Sequence, residues 1–174
     1  MMPAGTSHAG LRFVSQLFSY PEQLPVPADL PAGMAAEAGA LMGEMVGVAA
    51  VRLQNEYVRL FVNALPEVPC PPYGSVYLEG SLMGETTLMV RGLYRKYGLE
   101  PAEMPDHIAV ESEFLAWLQG LAVNDTAARQ DFEHLLGHLQ EWTGPFFDRV
   151  EQHDQLGCYR QSARLARAIL NKHC

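Results

Sequence analysis

Two histidines and an aspartate in the second half of the chain have the residue types and the spacing of a metal site. His134 and His138 stand four positions apart, so their imidazoles would share one face of a helix, and Asp131 lies on nearly the same face. That face lies well to one side of the apolar stripe that contains Phe132 and Leu136, which favours exposure to solvent. A di-metal helical bundle would also need inward-pointing Glu-x-x-His pairs, and the sequence shows none. A metal-dependent enzyme is therefore the weaker interpretation.

A further set of candidates begins at Asp106 and His107, directly after Pro105 and at the expected start of a helix. Glu111 follows His107 by four positions and would share its helical face, beside the apolar Leu115. A carboxylate on an apolar face is usually kept for a partner. That partner is either His107 within the chain or an arginine of another molecule, and the alternative for Asp106 is simple capping of the helix. The sequence leaves these alternatives open.

The segment PCPPYGSVYLEGSLMG, from Pro69 to Gly84, separates two stretches with helical periodicity. Its proline pair prevents continuation of the helix that ends near Val62, because proline lacks an amide donor and restrains the residue before it. The chain is then expected to run extended past Tyr73, to turn at the next two residues and to form at most a short extended piece at SVYL. The aromatic ring of Tyr77 is expected to pin this segment onto the helices.

Apolar residues recur at helical spacing from end to end, and no sustained alternation of apolar and polar residues indicates a sheet. Two weaker helical patterns lie near the N-terminus, and five clear stripes follow. The stripes are Leu53, Tyr57, Leu60 and Phe61; Val90, Leu93, Tyr94 and Tyr97; Phe114, Leu118, Leu121 and Ala122; Phe132, Leu135, Leu136 and Leu139; and Tyr159, Ala163, Ala166, Ile169 and Leu170. The sequence thus predicts one all-α globular domain over residues 1–174, with about seven or more helices that pack on more than one side.

The composition argues against several functional classes. Twelve Lys and Arg against 20 Asp and Glu give a net charge of −8, which disfavours binding to nucleic acid and would suit a basic partner. No apolar run approaches the roughly 20 residues that span a bilayer, and the N-terminus lacks the features of a secretory signal. There is no GxxxxGK[ST] loop for nucleotide phosphates. Three cysteines without CxxC spacing suit buried or incidental thiols in the cytoplasm.

Two blocks of residues give the sequence a specific resemblance. NEYVRLF followed by PCPPYGSVYLEGSLMG forms the first, and LYRKYGL followed by MPDHIAVESEFLAWL forms the second. In this order they resemble the TorD/DmsD/NarJ family of molybdoenzyme-specific chaperones, or redox enzyme maturation proteins, which are all-helical cytoplasmic proteins. The likeness is good from Gln54 to Leu118 and looser through HLQEWTGPFFDRV and CYRQSARLARAIL. PPYGSVYL and the glycine downstream are closest to the DmsD type.

The resemblance implies binding rather than catalysis, and no cofactor. Family members recognise the twin-arginine signal peptide, or an equivalent N-terminal segment, of the apo-form of a molybdopterin oxidoreductase catalytic subunit. They hold that subunit back from export until its cofactor is inserted. Because such a peptide joins a basic head to an apolar segment that can form a helix, its partner should offer an apolar groove rimmed by carboxylates.

Residue by residue, the resemblance and the helical face described above suggest a signal-peptide site. It comprises Pro72, Tyr73, Gly74, Ser75, Tyr77, Gly84, Asp106, His107 and Glu111. DmsD-like members commonly have tryptophan in place of Tyr73. We hypothesise that Asp106 and Glu111 help to form the anionic environment of the arginine pair. The alternatives are a NarJ-like assembly factor for a non-exported reductase subunit and a metal-binding helical protein. The resemblance leaves open a monomer or a domain-swapped dimer, transient contact with the membrane or the translocase, and the guanine nucleotide binding linked to some members.

Overall fold

The computed structural model describes the backbone of residues 6–172 and the side chains of residues 8–172. Within that range the chain forms eight α-helices and one π-helical turn. They are α1 (Thr6–Leu17), α2 (Ala32–Gly47), α3 (Ala50–Tyr57) with the π-helical turn Val58–Val62, α4 (Gly74–Glu79), α5 (Glu85–Lys96), α6 (Ile108–Leu121), α7 (Thr126–His153) and α8 (Cys158–Asn171). The predicted all-α fold with seven or more helices is confirmed.

Helix α6 lies at the centre of the bundle, between α1 and α7, and α8 packs against α7, α1 and α2. Most of the residues of α6 are buried, including Ile108, Phe114, Leu115 and Leu118, so this helix is apolar around most of its circumference. A helix of that kind must be covered on several sides by its neighbours. The sequence therefore places α6 inside, where α1 and α7 cover it and Tyr94 of α5 stacks on its Phe114.

A cluster of aromatic rings fills the space between α1, the π-helical turn and α7. Phe18 lies 6.0 Å from Phe61 and 5.3 Å from Phe146, measured between ring centroids, and both pairs meet edge to face. Tyr57 and Tyr159 join the same cluster. Buried aromatic side chains carry much of the burial energy of a core, so these contacts join the N-terminal helix to the C-terminal pair.

Helix α7 is long because it is capped well at its start and tolerates a proline within it. Asp125 Oδ1 accepts hydrogen bonds from the amides of Ala127 and Ala128, at 2.8 and 3.2 Å. Pro145 stands inside the helix and is exposed. Because the helix continues through that proline, Trp142 before it and Phe146 after it lie on one continuous element.

A buried carboxylate ties the end of α3 to the turn between α7 and α8. Glu56 receives Arg59 Nε at 2.8 Å and Arg59 Nη2 at 2.7 Å, and it also accepts the amide of Gln155 at 2.7 Å. Burial raises the pKa of Glu56, but Arg59 and the Gln155 amide outweigh it and hold that pKa below its ordinary value. The helix that leads into the proline-rich segment is thereby fixed to the C-terminal half of the chain.

The segment SVYL departs from the extended piece that the sequence suggests, because Gly74–Glu79 forms α4. Tyr73 remains extended before it, at φ −125° and ψ 130°.

Over the described range, no single helix is both apolar and long enough to cross a membrane, although Ala32–Gly47 and Ala50–Val62, bent by 108°, meet the criteria of length and composition as a pair.

Candidate functional site

The two sequence blocks meet through backbone hydrogen bonds. Tyr73 and His107 form an isolated antiparallel bridge. In this bridge the amide of Ile108 donates to the carbonyl of Pro72 at 3.0 Å, and the amide of Gly74 donates to the carbonyl of Asp106 at 2.9 Å. The rings of Tyr73 and His107 also meet edge to face, with 5.2 Å between their centroids. The bridge fixes the start of α4 against the start of α6.

Asp106 stabilises the start of α4, whereas the capping alternative drawn from the sequence assigned it to α6. Its Oδ2 accepts the amide of Ser75 at 2.9 Å, and the whole side chain is buried. The start of α6 is capped instead by His107, whose Nδ1 accepts the amide of Ala109 at 3.1 Å. Asp106 therefore caps α4 and His107 caps α6, although both residues directly precede α6 in the sequence, because the bridge brings the start of α4 to the Asp106 side chain.

Gly74 is small because the indole of Trp142 lies directly above it. A Cβ atom at Gly74 would lie 2.9 Å from Trp142 Nε1, closer than real Cβ contacts come. The same indole stacks on Tyr77, with 5.7 Å between ring centroids. Tyr77 thus pins α4 onto α7, as its aromatic type predicts, and it belongs to the packing beneath the site.

Gly84 serves the start of α5. The Glu79 carboxylate accepts the amides of Glu85 and Thr86, both at 2.7 Å, and a Cβ atom at Gly84 would overlap that carboxylate. Hydrogen bonding to Thr86, with the amide of Glu85, lowers the pKa of Glu79. The glycine is therefore explained by the turn between α4 and α5, and it does not line the cleft described below.

Glu111 is wholly buried and points toward α7 rather than along its own helix. Its Oε1 lies 3.4 Å from His138 Nε2, so the internal contact with His107 that the sequence left as an alternative is not the one formed. Burial raises the pKa of Glu111 to about 7, and His138 opposes that shift. His138 is 8% exposed, which corrects the predicted exposure of this residue, while His134 is exposed as expected.

A cleft of about 450 Å³ opens beside the bridge, between α1, α3, α5, α6 and the segment 99–103. Its walls carry three tyrosines, Tyr20, Tyr57 and Tyr94. The hydroxyl of Tyr57 donates to the carbonyl of Phe18 at 3.0 Å, and that of Tyr94 donates to the carbonyl of Val110 at 2.9 Å. Burial raises the pKa of both phenols. The cleft therefore has aromatic walls whose buried hydroxyls are already satisfied.

The rim of the cleft is acidic. Glu100, Glu103 and Glu113 line it and are exposed, and none of its described lining residues is lysine or arginine. Glu100 lies 3.6 Å from Arg95 Nε, a contact between two exposed side chains that contributes little. Carboxylates above aromatic faces suit a planar cation such as guanidinium.

His107 is the link between the bridge and the cleft, and it is neutral. Burial lowers the pKa of its imidazole to about 4. Because Nδ1 accepts the Ala109 amide, the proton of the neutral ring is on Nε2. The ring can thus donate one hydrogen bond to a carbonyl without adding positive charge to the cleft.

The structure brings Pro72, Tyr73, Gly74 and Ser75 together with Asp106 and His107 at the bridge, whereas Gly84 lies at the turn before α5, and most of the nine predicted site residues do not line the cleft. Of the nine, all of which are described, His107 alone lines it. Pro72, Gly74, Ser75, Asp106 and Glu111 are buried. Direct contact of Asp106 and Glu111 with an arginine stays a prediction, and because both are 0% exposed it would require the site to open. A groove rimmed by carboxylates was expected from the resemblance, but the sequence did not identify the rim residues, and the tyrosine walls were not predicted.

Over the described range, no group of three or more histidine, cysteine, aspartate or glutamate side chains is arranged to hold a metal ion. Asp131, the third member of the candidate metal set, accepts hydrogen bonds from Lys96 Nζ at 2.6 Å and from the hydroxyl of Tyr97 at 2.5 Å. The residue pattern that suggested a metal site is thus divided between a surface contact and the buried His138.

Comparisons with known proteins agree with this architecture. The sequence model of the nitrate reductase delta subunit family matches residues 28–148. Chaperone protein TorD of Vibrio cholerae serotype O1 is 32% identical over 117 residues, which cover 59% of this chain and 53% of TorD, with the same figures for three strains. The chain therefore spans about half the length of the curated relatives it matches.

A crystal structure from Archaeoglobus fulgidus, described provisionally as a redox enzyme maturation protein, superposes with a TM-score of 0.71. It is 31% identical, and the match covers 98% of each chain. The family match covers most of the sequence, and the structural match extends over nearly all of it. The chain belongs to the nitrate reductase delta subunit family, the TorD/NarJ family.

Proposed function

We propose that this protein is a cytoplasmic chaperone that binds the twin-arginine signal peptide of a molybdopterin oxidoreductase subunit and does not itself catalyse a reaction. The observation that carries the proposal is the cleft with aromatic walls and three carboxylates on its rim. The family membership and the name of the TorD relatives support the same client class. The bound subunit would be held in its apo-form before export, and any contact of the chaperone with the membrane or the translocase would be transient.

The chemistry of the cleft favours arginine over lysine. A guanidinium is planar and can stack on the faces of Tyr20, Tyr57 and Tyr94 while it forms paired hydrogen bonds with a rim carboxylate. An ammonium group lacks the fork geometry and is more strongly hydrated. Because His107 is neutral and carries its proton on Nε2, it donates to a backbone carbonyl of the peptide and does not repel its cations.

The blocks found in the sequence serve this function by holding the cleft in shape. The Tyr73–His107 bridge keeps His107 at the cleft wall, and Asp106 holds the start of α4 against it. Trp142 and Glu111 support the same junction from α7 and α6. Most residues of the two sequence blocks therefore support the cleft from behind its walls, and few of them would contact the peptide.

The test is calorimetric titration of the whole protein with a twin-arginine signal peptide of a molybdoenzyme from the same genome. We expect binding that falls at least about tenfold when both arginines become alanine, and also falls, though less, when both become lysine. The variant Glu103→Gln/Glu113→Gln should weaken binding by about tenfold, since both carboxylates line the cleft without an ion-pair partner among the described residues.

The matched control is Glu37→Gln/Glu67→Gln, which removes the same charge from exposed positions outside the cleft. Equal loss in both double variants would mean that only net charge matters, and the cleft assignment would then be wrong. Absence of binding to any such peptide would refute the proposed function. Capture of an apo-subunit that lacks a signal peptide would instead favour the NarJ-like assembly role.

A further inference from the structure

Several buried polar atoms lie without hydrogen-bond partners where α4, α6 and α7 meet. Glu111 is wholly buried, and neither oxygen of its carboxylate accepts a hydrogen bond from the described part of the chain. His138 Nε2 lies 3.4 Å from Glu111 Oε1, too far for a well-formed hydrogen bond, and the indole N–H of Trp142 is also unpartnered. Because buried polar groups are normally paired, this cluster is expected to bind something small.

Tight packing around the cluster favours a proton over a larger ligand. A Cβ atom at Gly74 would lie 2.9 Å from Trp142 Nε1, so the indole lies directly against α4. Glu111 and Trp142 line neither the cleft with tyrosine walls (the tyrosine cleft) nor the groove between α4, α5 and α7. A proton needs no cavity, and it converts a carboxylate oxygen into a hydroxyl that can donate to the imidazole of His138.

His138 connects the cluster to the solvent. Its side chain is 8% exposed and lines a groove of about 520 Å³ between α4, α5 and α7. The other titratable residues that line this groove are Glu85, Glu133, His134 and Glu141. Because an imidazole can take up a proton at one nitrogen and give one up at the other, a proton can reach Glu111 from the groove by way of His138.

Burial and Asp106 both favour the protonated form of Glu111. Burial raises the pKa of Glu111 to about 7, and the Asp106 carboxylate adds to that shift. His138 and Trp142 on α7 oppose it. Asp106 is itself 0% exposed, and its Oδ1 has no partner within the described range. Ionisation of Glu111 would therefore place a second negative charge in the buried cluster.

The other helices around Glu111 supply no cation that could replace the proton. From α5, the phenol of Tyr94 lies close enough for Glu111 to raise its pKa, after burial has done so. Desolvation lowers the pKa of His138, but Glu111 and then Glu141 raise it, and the net shift is upward. Neither α1 nor α4 contributes to the shift of Glu111, and no described lysine or arginine does so. Once Glu111 and His138 have lost their protons, the negative charge is left uncompensated.

Asp106 connects the proton to the shape of the site. Its Oδ2 accepts the amide of Ser75 at 2.9 Å and so holds the start of α4. The adjoining bridge between Tyr73 and His107 keeps His107 at the wall of the tyrosine cleft. Repulsion between two buried carboxylates is relieved when the structure opens to water, and the short α4 is the element that one of them holds. Loss of the proton should therefore loosen α4 and the bridge beside it.

We propose that Glu111 and His138 form a proton switch that holds the start of α4 against α6. With the proton bound, Asp106 caps α4 and His107 keeps its place. Without it, α4 opens more often, and the cleft loses part of its wall. Because the closed form binds the proton more tightly, the proton stabilises that form fully below the ordinary Glu111 pKa of 4.5, and this stabilisation is lost as pH rises through the raised pKa of about 7.

The test measures the opening of α4 in the whole protein without a client. Hydrogen exchange followed by nuclear magnetic resonance gives the protection of the Ser75 amide, corrected for its intrinsic exchange rate at each pH. From the two pKa values of Glu111, this protection should fall at least about tenfold between pH 5 and pH 8. Glu111→Gln keeps the shape of the protonated acid and should reduce the change to less than about twofold. Glu37→Gln, at an exposed position on α2, is the matched control and should behave as the wild type does.

The fluorescence of Trp142 measures the proton itself. In a Trp117→Phe background Trp142 is the one remaining tryptophan, since the sequence has two. Its emission should change with a midpoint near pH 7, because Trp142 acts on the same carboxyl whose pKa is about 7. His138→Gln should raise that midpoint, because His138 lowers the pKa of Glu111.

Constant protection of Ser75 across this pH range would overturn the proposal, as would an equal loss of protection in Glu111→Gln. A Trp142 midpoint that falls in His138→Gln would show that the imidazole does not stabilise ionised Glu111, and the pairing would then be wrong. Because none of these measurements needs a client, the switch can fail while signal-peptide binding holds, and the reverse.

Discussion

Replacement of Glu111 by glutamine should change how stability depends on pH. Burial raises the pKa of this carboxyl to about 7 from an ordinary 4.5, so the folded state binds its proton more tightly than the unfolded state does. The contribution of this proton to the unfolding free energy is fully present below the pKa that Glu111 has in the unfolded state. It is lost as pH rises through the pKa that Glu111 has in the folded state. Glutamine keeps the shape of the protonated acid and removes the titration.

The magnitude follows from the two pKa values of Glu111. Between pH 5 and pH 8, ionisation of Glu111 should cost the wild-type protein about 2–3 kcal/mol of unfolding free energy. The raised pKa of His138, which desolvation opposes and Glu111 causes, acts in the same direction. The difference in unfolding free energy, Glu111→Gln minus wild type, should therefore rise by about that amount over this range.

Urea unfolding followed by circular dichroism at half-unit steps of pH measures the difference directly. Glu113→Gln is the matched control, because Glu113 lies on the same helix but is exposed. Its difference from the wild type should stay flat within about 0.5 kcal/mol. A flat difference for Glu111→Gln as well would show that this carboxyl is ionised throughout, and the account of a buried acid paired with His138 would then be incorrect.

Three further predictions concern the support of the cleft and the thiols. Gly84→Ala should lower the unfolding free energy by about 1–3 kcal/mol, because the new Cβ displaces the Glu79 carboxylate that caps α5. As a control, Gly92→Ala, in open space on α5, should raise the unfolding free energy by up to about 1 kcal/mol. Thermal unfolding measures both changes, and equal effects would contradict the steric argument. Asp106→Ala should cost about 1–3 kcal/mol through the lost cap of α4 and should also weaken signal-peptide binding; normal stability in urea would refute the capping role. Cys70 and Cys158 should resist iodoacetamide at pH 8 and react only in urea, because both thiols are buried and burial raises the pKa of Cys70 to about 12. Mass spectrometry of the digested protein measures the labelling of each cysteine. Rapid labelling of the folded protein would show that the thiols are not buried.

Periodicity predicted the helices well where one face of the helix is buried, as for Tyr159, Ala163 and Ile169 on α8. It missed α4, which has only six residues. The start of that helix depends on the Asp106 side chain, which is distant in sequence. A cap supplied by tertiary structure leaves no local signal of the kind that Ser or Asp directly before a helix provides.

The burial of His138 shows a related limit. The stripe of Phe132, Leu136 and Leu139 located one buried face of α7 correctly, but this helix packs against both α6 and α8. A second contact widens the buried arc of a helix, and His138 falls within that wider arc. The neighbouring helix then supplies Glu111 as its partner, a pairing that sequence spacing does not reveal.

For the candidate site, the sequence predicted the residues at the Tyr73–His107 bridge but did not identify most of the residues that line the cleft. Asp106 and His107 were singled out because they stand at an expected helix start and match the second block of the resemblance, and the structure places both at the bridge. Glu100 and Glu103 of the rim lie in an irregular segment where no periodicity marks a face. Tyr57 was assigned correctly to the core, yet the edge of a buried ring also forms a cleft wall.

The Tyr73–His107 bridge lies before α7 in the chain, so its residues are synthesised before the residues of α7 that pack against it. When residues up to the end of α6 have left the ribosome, every side chain that lines the tyrosine cleft has been made. Trp142, which lies over Gly74, and His138, which meets Glu111, are still to come on α7. The nascent chain therefore passes through a stage in which the residues that line the cleft have been made but Trp142 and His138, which pack behind them, have not. We therefore expect the cleft to be fully supported only once α7 has been made, and a chain stalled at the end of α6 would present an unsupported cleft.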